Sequence, residues 1–445
     1  MVSVTELLPL SWNQGFLRAF DQGDEAGPFG PRYIIVCGWR LTGPVDPAVL
    51  QEALDEVVAR HEALRTEVVR SGDGHQVVHP PCPVRLTVHE LPGDDRDRRA
   101  EELLNDAEAE PFPTKELPLI RAVLGRFDDD DAVLGLVAHH TAADEWSMQL
   151  IMRDLAYGYA VRTGHRPSPL PEVLQYRDYV DWERAGAGQD DGERSLAYWR
   201  DNLRGAQFAG TRTDHLRSAG VPKTTAWRRF TFPNTVTVAV KDIVKETRSS
   251  PFMVLLAAYV VYVGRREGTR DVVVPSFSSG RGPARFHDTV GSFFNFLPFR
   301  VNLEDCRSFK DVIASTRQAC VGAYAHDLPF AQILGVAPEL MSSVTRDDHA
   351  VVAFQVFKSP LGGDRGSAGA FEYSVFRRRQ VSQWDGGDVP DGAMWHLEID
   401  SSGDIVGSFA FNTNLYGQQT VGGMVGDFGE LLKRLTADLH GPLEL

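Results

Sequence analysis

Residues 252–263 (FMVLLAAYVVYV) form an unbroken apolar run with no face to turn toward water. Such a segment has to be wrapped by other parts of the chain. It is too short to cross a bilayer, which takes about 20 residues. Ser250-Pro251 before it and Gly264-Arg265-Arg266 after it are helix start and stop signals, so the run reads as a buried helix. The chain around it has 445 residues, more than one ordinary core organises. Two domains are expected, residues 1–184 and 185–445. The polar stretch 185–194 (AGAGQDDGER) reads as the connector between them, with a second flexible stretch over 205–224.

Composition narrows the functional class. Hydrophobic residues make up 42% and charged residues 24%, the balance of a globular protein. The formal net charge of -15 excludes a basic nucleic-acid-binding surface. The N-terminal MVSVTELLPLSWNQ lacks a basic segment followed by an apolar run, so no signal peptide is expected, no membrane partner, and a cytoplasmic location. Cys37, Cys82, Cys306 and Cys320 show neither metal nor redox spacing and read as free thiols. No histidine pair falls at zinc-site spacing with a third ligand nearby, so no metal is expected.

Periodicity places helices and strands in both halves, an α/β (α+β) class. Residues 33–41 read as a strand. Asp46-Pro47 then opens a helix, with Val49, Leu50, Ala53, Leu54, Val57 and Val58 on one face. It runs into Arg60–Thr66 (RHEALRT). Short strands near 67–69 and 75–78 flank the turn Ser71-Gly72-Asp73-Gly74. The acidic run 128–131 reads as a solvated turn, because adjacent carboxylates do not converge on one ion. Residues 132–138 (AVLGLVA) read as a buried strand, and Met148, Ile151, Leu155 and Tyr159 recur at helical spacing beyond it. The second half mixes helices at 251–263 and 308–324 with strands at 271–275, 350–357, 395–399 and 404–412.

Chemistry concentrates where that buried strand meets its helix: His139-His140-Thr141-Ala142-Ala143-Asp144-Glu145-Trp146-Ser147. A buried imidazole needs a partner for each ring nitrogen. One ring at a strand end can face a cleft while its neighbour fixes the backbone. A catalytic histidine and a pair of structural histidines both fit these residues.

The segment resembles the HHxxxDG motif of nonribosomal-peptide condensation domains. Further motifs follow in that family's order along nearly the whole chain. Leu10-Ser11 and Gln14 are similar to its SxAQ opening, with Asn13 where alanine is usual. Arg60–Thr66 is similar to RHExLRT. Tyr176, Asp178, Tyr179 and Trp182 resemble YxDYxxW, and Tyr198-Trp199 and Leu203-Arg204-Gly205 follow. Ser279-Gly280-Arg281 is similar to AGR; Gly291, Phe293, Asn295, Pro298 and Arg300 are similar to GxFxNxxPxR. Asp327–Phe330 resembles the core of HQDxPFE, with Ala325, His326 and Ala331 departing from it. Phe354-Gln355-Val356 and Phe411-Asn412-Thr413 complete the series.

The resemblance implies two chloramphenicol acetyltransferase-like lobes in a V, with the active site in a tunnel between them. It implies His140 as the catalytic residue, acting as a general base or stabilising the tetrahedral intermediate. His139 and Asp144 would support it, Asp144 through an arginine salt bridge, with Arg281 as first candidate partner and Arg65 as second. It further implies an acyl-loaded peptidyl carrier protein as donor, with the phosphopantetheine arm supplied by that carrier and no cofactor of the chain's own. The acceptor would be a small-molecule amine or alcohol, giving an amide or ester in natural-product biosynthesis. Free-standing members, such as those of enediyne biosynthesis, are the expected type.

Glu145 departs from the family glycine. It either points to solvent at the helix start, where negative charge is favoured, or lines an unusual acceptor channel, the preferred reading. Trp146, Asn295 and Ser279 are further channel candidates, the last two alternatively bonding backbone. Arg377-Arg378-Arg379 is read as a carrier-docking patch or a solvated face. No glycine-rich phosphate loop and no GxSxG elbow is present. Competing readings are a coenzyme A-dependent acyltransferase of the same fold, a non-catalytic recruitment domain and an epimerising relative.

Overall fold

The computed structural model describes residues 8–186, 190–358, 364–389 and 391–444. Residues 1–7, half of the stretch read for a leader, and 187–189 of the expected connector lie outside the described residues. Among the described residues no helix is long and apolar enough to cross a membrane.

Two sheets organise two lobes. In the first the strands lie in the order Arg365–Ser367, Glu372–Val375, Ile34–Thr42, Asp131–His139, Ile120–Arg126, Arg85–Glu90. Asp131–His139 is central and buried along both faces, as its continuous apolar sequence requires. It pairs antiparallel with Ile34–Thr42, setting Ile34 opposite His139. Residue 184 falls within the helix Tyr176–Ala185, yet residues 365–375 return to this sheet. The first sheet therefore draws strands from both sides of the expected division.

The second sheet runs Gly210–Arg212, His349–Val356, Ala393–Ile399, Ile405–Asn412, Thr225–Phe232. Against it packs the helix Pro251–Glu267, the apolar run of the sequence, with Val254 through Val261 all buried. Helices Asn234–Thr247, Phe309–Ala325 and Gln418–Ala437 enclose its other sides. Tyr259 stacks on Phe354 at 4.6 Å between ring centres. Each fully buried valine or leucine there contributes about 1.5–3 kcal/mol relative to an exposed one. The Ser250 hydroxyl accepts the Met253 N–H at 3.2 Å, as the start signal implies. The stop comes later than Gly264: the helix continues to Glu267 and ends on Gly268 at φ 64.

The strand Ala393–Ile399 alternates. Ala393, Trp395 and Leu397 are buried in the second core, while Met394, His396 and Glu398 are half-buried on the opposite face. His349–Val356 does the same, and Gln355 lies beside His396. That second face carries Gln355, His396 and Glu398 among apolar neighbours, and His396 approaches Glu145 of the first lobe.

Three local expectations change. A helix occupies Asp190–Asn202, so the second half of the polar connector is helical; the buried Ser195 and Trp199 hold it against the second lobe. The stretch 205–224 contributes the strand Gly210–Arg212. In the acidic run, Asp131 is not solvated. It opens the central strand and accepts from Arg40 Nε and Arg96 Nη1, each at 2.5 Å.

Candidate active site

His139 ends the central strand and is 3% exposed. Its Nε2 lies 3.1 Å from the Gly30 carbonyl, so that nitrogen carries the proton. Nδ1 faces the Thr141 hydroxyl at 2.7 Å and the Thr141 N–H at 3.4 Å, and acts as acceptor. Both nitrogens are satisfied without charge. Burial lowers the pKa to about 4, and the ring stays neutral.

His140 follows outside the strand, its N–H donating to the Tyr33 carbonyl at 2.8 Å. Its ring stacks on Tyr33 at 5.0 Å and meets Phe294 edge-on at 4.9 Å. Nδ1 is sealed inside without a hydrogen-bond partner. The residue as a whole is half-buried, with its ring clamped between the two aromatics. Burial lowers its pKa; Asp144 and the backbone of His140 and Ala143 pull the other way. The imidazole is neutral near pH 7.

Asp144 caps the helix Glu145–Arg162, accepting the Ser147 N–H at 2.8 Å. Arg281 binds it through both guanidinium ends, Nη1 to Oδ2 at 2.5 Å and Nη2 to Oδ1 at 2.9 Å. Nη2 also reaches the Ser147 hydroxyl at 2.8 Å, and the Phe293 N–H donates to Oδ2 at 3.3 Å. The guanidinium has no exposed surface and lies 4.0 Å above the Phe293 ring. Burial would raise the Asp144 pKa; Arg281 outweighs it, and the carboxylate stays ionised below its ordinary range. Arg65, the second candidate partner, instead donates to the carbonyls of Val58 and His79. Gly280, before Arg281, holds φ 63, and an added Cβ would meet the Phe293 carbonyl, so the turn that aims the guanidinium needs glycine.

Glu145, the first residue of that helix, is not directed to bulk solvent. Its side chain is 16% exposed, and Oε2 lies 3.8 Å from His396 Nε2 on the second sheet. Burial pushes its pKa up to about 8; Arg377 lowers it and Asp144 raises it. Burial drives His396 the other way, to about 3. A protonated carboxyl and a neutral imidazole thus face each other across the seam between the lobes.

The condensation-domain family model matches residues 25–444. The chain belongs to the condensation-domain family. It is 31% identical over 441 residues to phosphinothricin tripeptide synthetase PhsC of Streptomyces viridochromogenes, covering 97% of this chain and 39% of that protein. The chain spans less than half the length of the curated relatives it matches. The structure of the SgcC5 protein from Streptomyces globisporus superposes with a TM-score of 0.95 at 46% identity, over 98% of this chain and 100% of that one. The first condensation domain of the CDA synthetase shares the fold, with a TM-score of 0.79 at 22% identity over 100% and 98% of the two chains. Two chloramphenicol acetyltransferase-like lobes are therefore the architecture of this protein.

Within this condensation domain the other expected site residues are dispersed. Trp146 donates Nε1–H to the His287 carbonyl at 2.9 Å, and its ring lies 5.2 Å from the Arg281 guanidinium. Asn295 spends its amide on Asp327 at 2.9 Å and the Leu328 carbonyl at 2.7 Å, and accepts from Phe330 N. Ser279 is exposed, and its hydroxyl accepts the Arg281 N–H at 3.4 Å. The basic run is only partly a solvated face: Arg378 is exposed, whereas Arg377 and Arg379 are largely buried. Arg377 pairs with Asp364 and Glu398, Arg378 with Asp400 and Asp404, and Arg379 with Glu108.

Sequence reasoning missed Ser147, whose hydroxyl joins Arg281 to Gly291, and the seam residues His396 and Glu398. The signal for the latter pair was the alternation Met394-Trp395-His396-Leu397-Glu398, which puts both polar residues on one strand face.

Proposed function

We propose that this condensation domain transfers an acyl or aminoacyl group from the phosphopantetheine thioester of a carrier protein to an amine or alcohol, forming an amide or ester. The carrying observation is His140: a neutral imidazole clamped between Tyr33 and Phe294, one nitrogen sealed and the residue as a whole half-buried. With its proton on the sealed Nδ1, Nε2 offers a lone pair. Nε2 takes the proton of the nucleophile as its nitrogen or oxygen bonds to the thioester carbonyl carbon. The tetrahedral intermediate collapses, the carbon–sulfur bond breaks, and the thiol leaves with the proton from the imidazolium. No cofactor of the chain's own enters this scheme. The SgcC5 structure, at 46% identity, holds (R)-(-)-1-(2-naphthyl)-1,2-ethanediol, which supports an alcohol as acceptor here.

The test is mass measurement of carrier-bound acyl groups incubated with candidate amines and alcohols, with coenzyme A thioesters as parallel donors. Transfer from the carrier is expected, and His140→Ala lowers kcat by about 10²–10⁴-fold with an unchanged melt. Normal turnover in a folded His140→Ala variant removes the base assignment. Transfer from coenzyme A alone removes the carrier.

A further inference from the structure

The seam around Glu145 carries a charge count that does not close. Glu398 is fully engaged: Oε1 lies 2.9 Å from His396 Nε2, and Oε2 takes an Arg377 nitrogen. Arg377 gives its other edge to Asp364 at 2.9 and 2.7 Å. Behind them Arg229 and Arg379 meet Glu108, with Glu101 nearby accepting the Val381 N–H. Asp144 is answered by Arg281. His396 is neutral, and burial keeps Cys37, on the facing strand Ile34–Thr42, a thiol. Glu145, Glu398 and Asp364 therefore surround a single cation, Arg377. Among the described residues no donor closes on the Glu145 carboxyl within hydrogen-bonding distance.

The position is also open. Glu145 and His396 keep 16% and 18% of their side-chain surface although protein surrounds them. One and two turns further along the same helix face, Gln149, Met152 and Arg153 line a cavity of about 290 Å³ with Asp364 and Tyr373. Asp364 links that cavity to Arg377.

We propose that Glu145, with His396 beside it, binds one substrate ammonium group at the seam. One added positive charge reduces the excess of three carboxyls over one arginine, and an ammonium brings donors to a carboxyl that has none within hydrogen-bonding distance. A divalent metal suits the trio Glu145, His396 and Glu398 less well, since both Glu398 oxygens are taken and Arg377 stands against it. With nothing bound, Glu145 keeps a proton, its pKa lying near 8. Ammonium binding below that pH therefore releases the proton, and affinity rises with pH up to about 8. The inference rests on the acyl-transfer reading only for its choice of substrates.

The ammonium group belongs to the donor or to the acceptor, and paired substrates separate the two. Donors are phenylalanyl and 3-phenylpropanoyl thioesters on one carrier; acceptors are 4-(aminomethyl)benzyl alcohol and 4-methylbenzyl alcohol. In one pair, kcat/KM should favour the amine-bearing member by about tenfold or more, as expected for a charge-assisted contact. The preference should grow between pH 6.5 and 8, fall toward one in Glu145→Gln, and return in part in Glu145→Asp. No preference in either pair, a preference that survives Glu145→Gln, or one that needs added Zn²⁺ overturns the site. Failure of every carrier-bound donor instead removes the underlying activity. Calorimetry with benzylammonium chloride in two buffers of different ionisation enthalpy then still decides, because release of about one proton at pH 7 in the parent and none in Glu145→Gln is required.

Discussion

Asp144 receives two arginine nitrogens, two backbone N–H groups and a turn built to aim them. Glu145, one residue on, has a neutral imidazole 3.8 Å away and an open space. Both carboxyls are surrounded by protein, so both carry a large desolvation penalty. In the first it is offset completely and the group is ionised; in the second it is not, and the group keeps its proton. A satisfied buried charge is part of the scaffold. An unsatisfied one is held in readiness.

The largest effect should come from breaking the satisfied member. Arg281→Ala leaves Asp144 buried and unpaired and should cost about 3–5 kcal/mol, read from denaturant melts. Asp144→Ala should cost a similar amount. The double variant should cost much less than the sum, and additive losses would count against direct pairing.

A smaller effect should follow at Glu145, with the opposite dependence on pH. A carboxyl whose folded pKa lies above its unfolded value binds more protons folded than unfolded between the two. Stability therefore falls as pH rises from about 4.5 to about 8. Glu145→Gln should flatten that slope and melt above the parent at pH 8.5, whereas no such gain should appear in Asp144→Asn. Equal slopes in parent and Glu145→Gln would place Glu145 in ordinary solvent.

Across the seam, His396 has its folded pKa below the unfolded value, so stability is lost as pH falls from about 6.5 toward 3. His396→Gln should reduce that acid loss. The smallest change is expected at Trp146→Phe, which gives up the bond to the His287 carbonyl and should cost about 0.5–1.5 kcal/mol without altering either pH slope.

Much of this was readable from the chain. The apolar run at 252–263 could only be an enclosed helix, and the cap at Asp46-Pro47 marked a helix start that the structure repeats. The Asp144–Arg281 pair followed from motif resemblance, since nothing local joins residues so far apart in sequence. What escaped was long-range. Arg377, Arg378 and Arg379 look like a surface run because charge adjacent in sequence usually faces water. Their partners, Asp364, Glu398, Asp400, Asp404 and Glu108, come from four other places in the chain. The strands Arg365–Ser367 and Glu372–Val375 are too short to show a period. Glu145 could be flagged as a departure, but its setting depends on a strand 250 residues later.

Those two short strands have an engineering consequence. They complete the edge of the first sheet beside Ile34–Thr42, although they arrive from the far end of the sequence. A fragment ending at residue 184 would leave the Ile34–Thr42 edge with unpaired backbone groups, a template for strand exchange and aggregation. The chain is thus laced rather than hinged, and its two halves are not separable pieces.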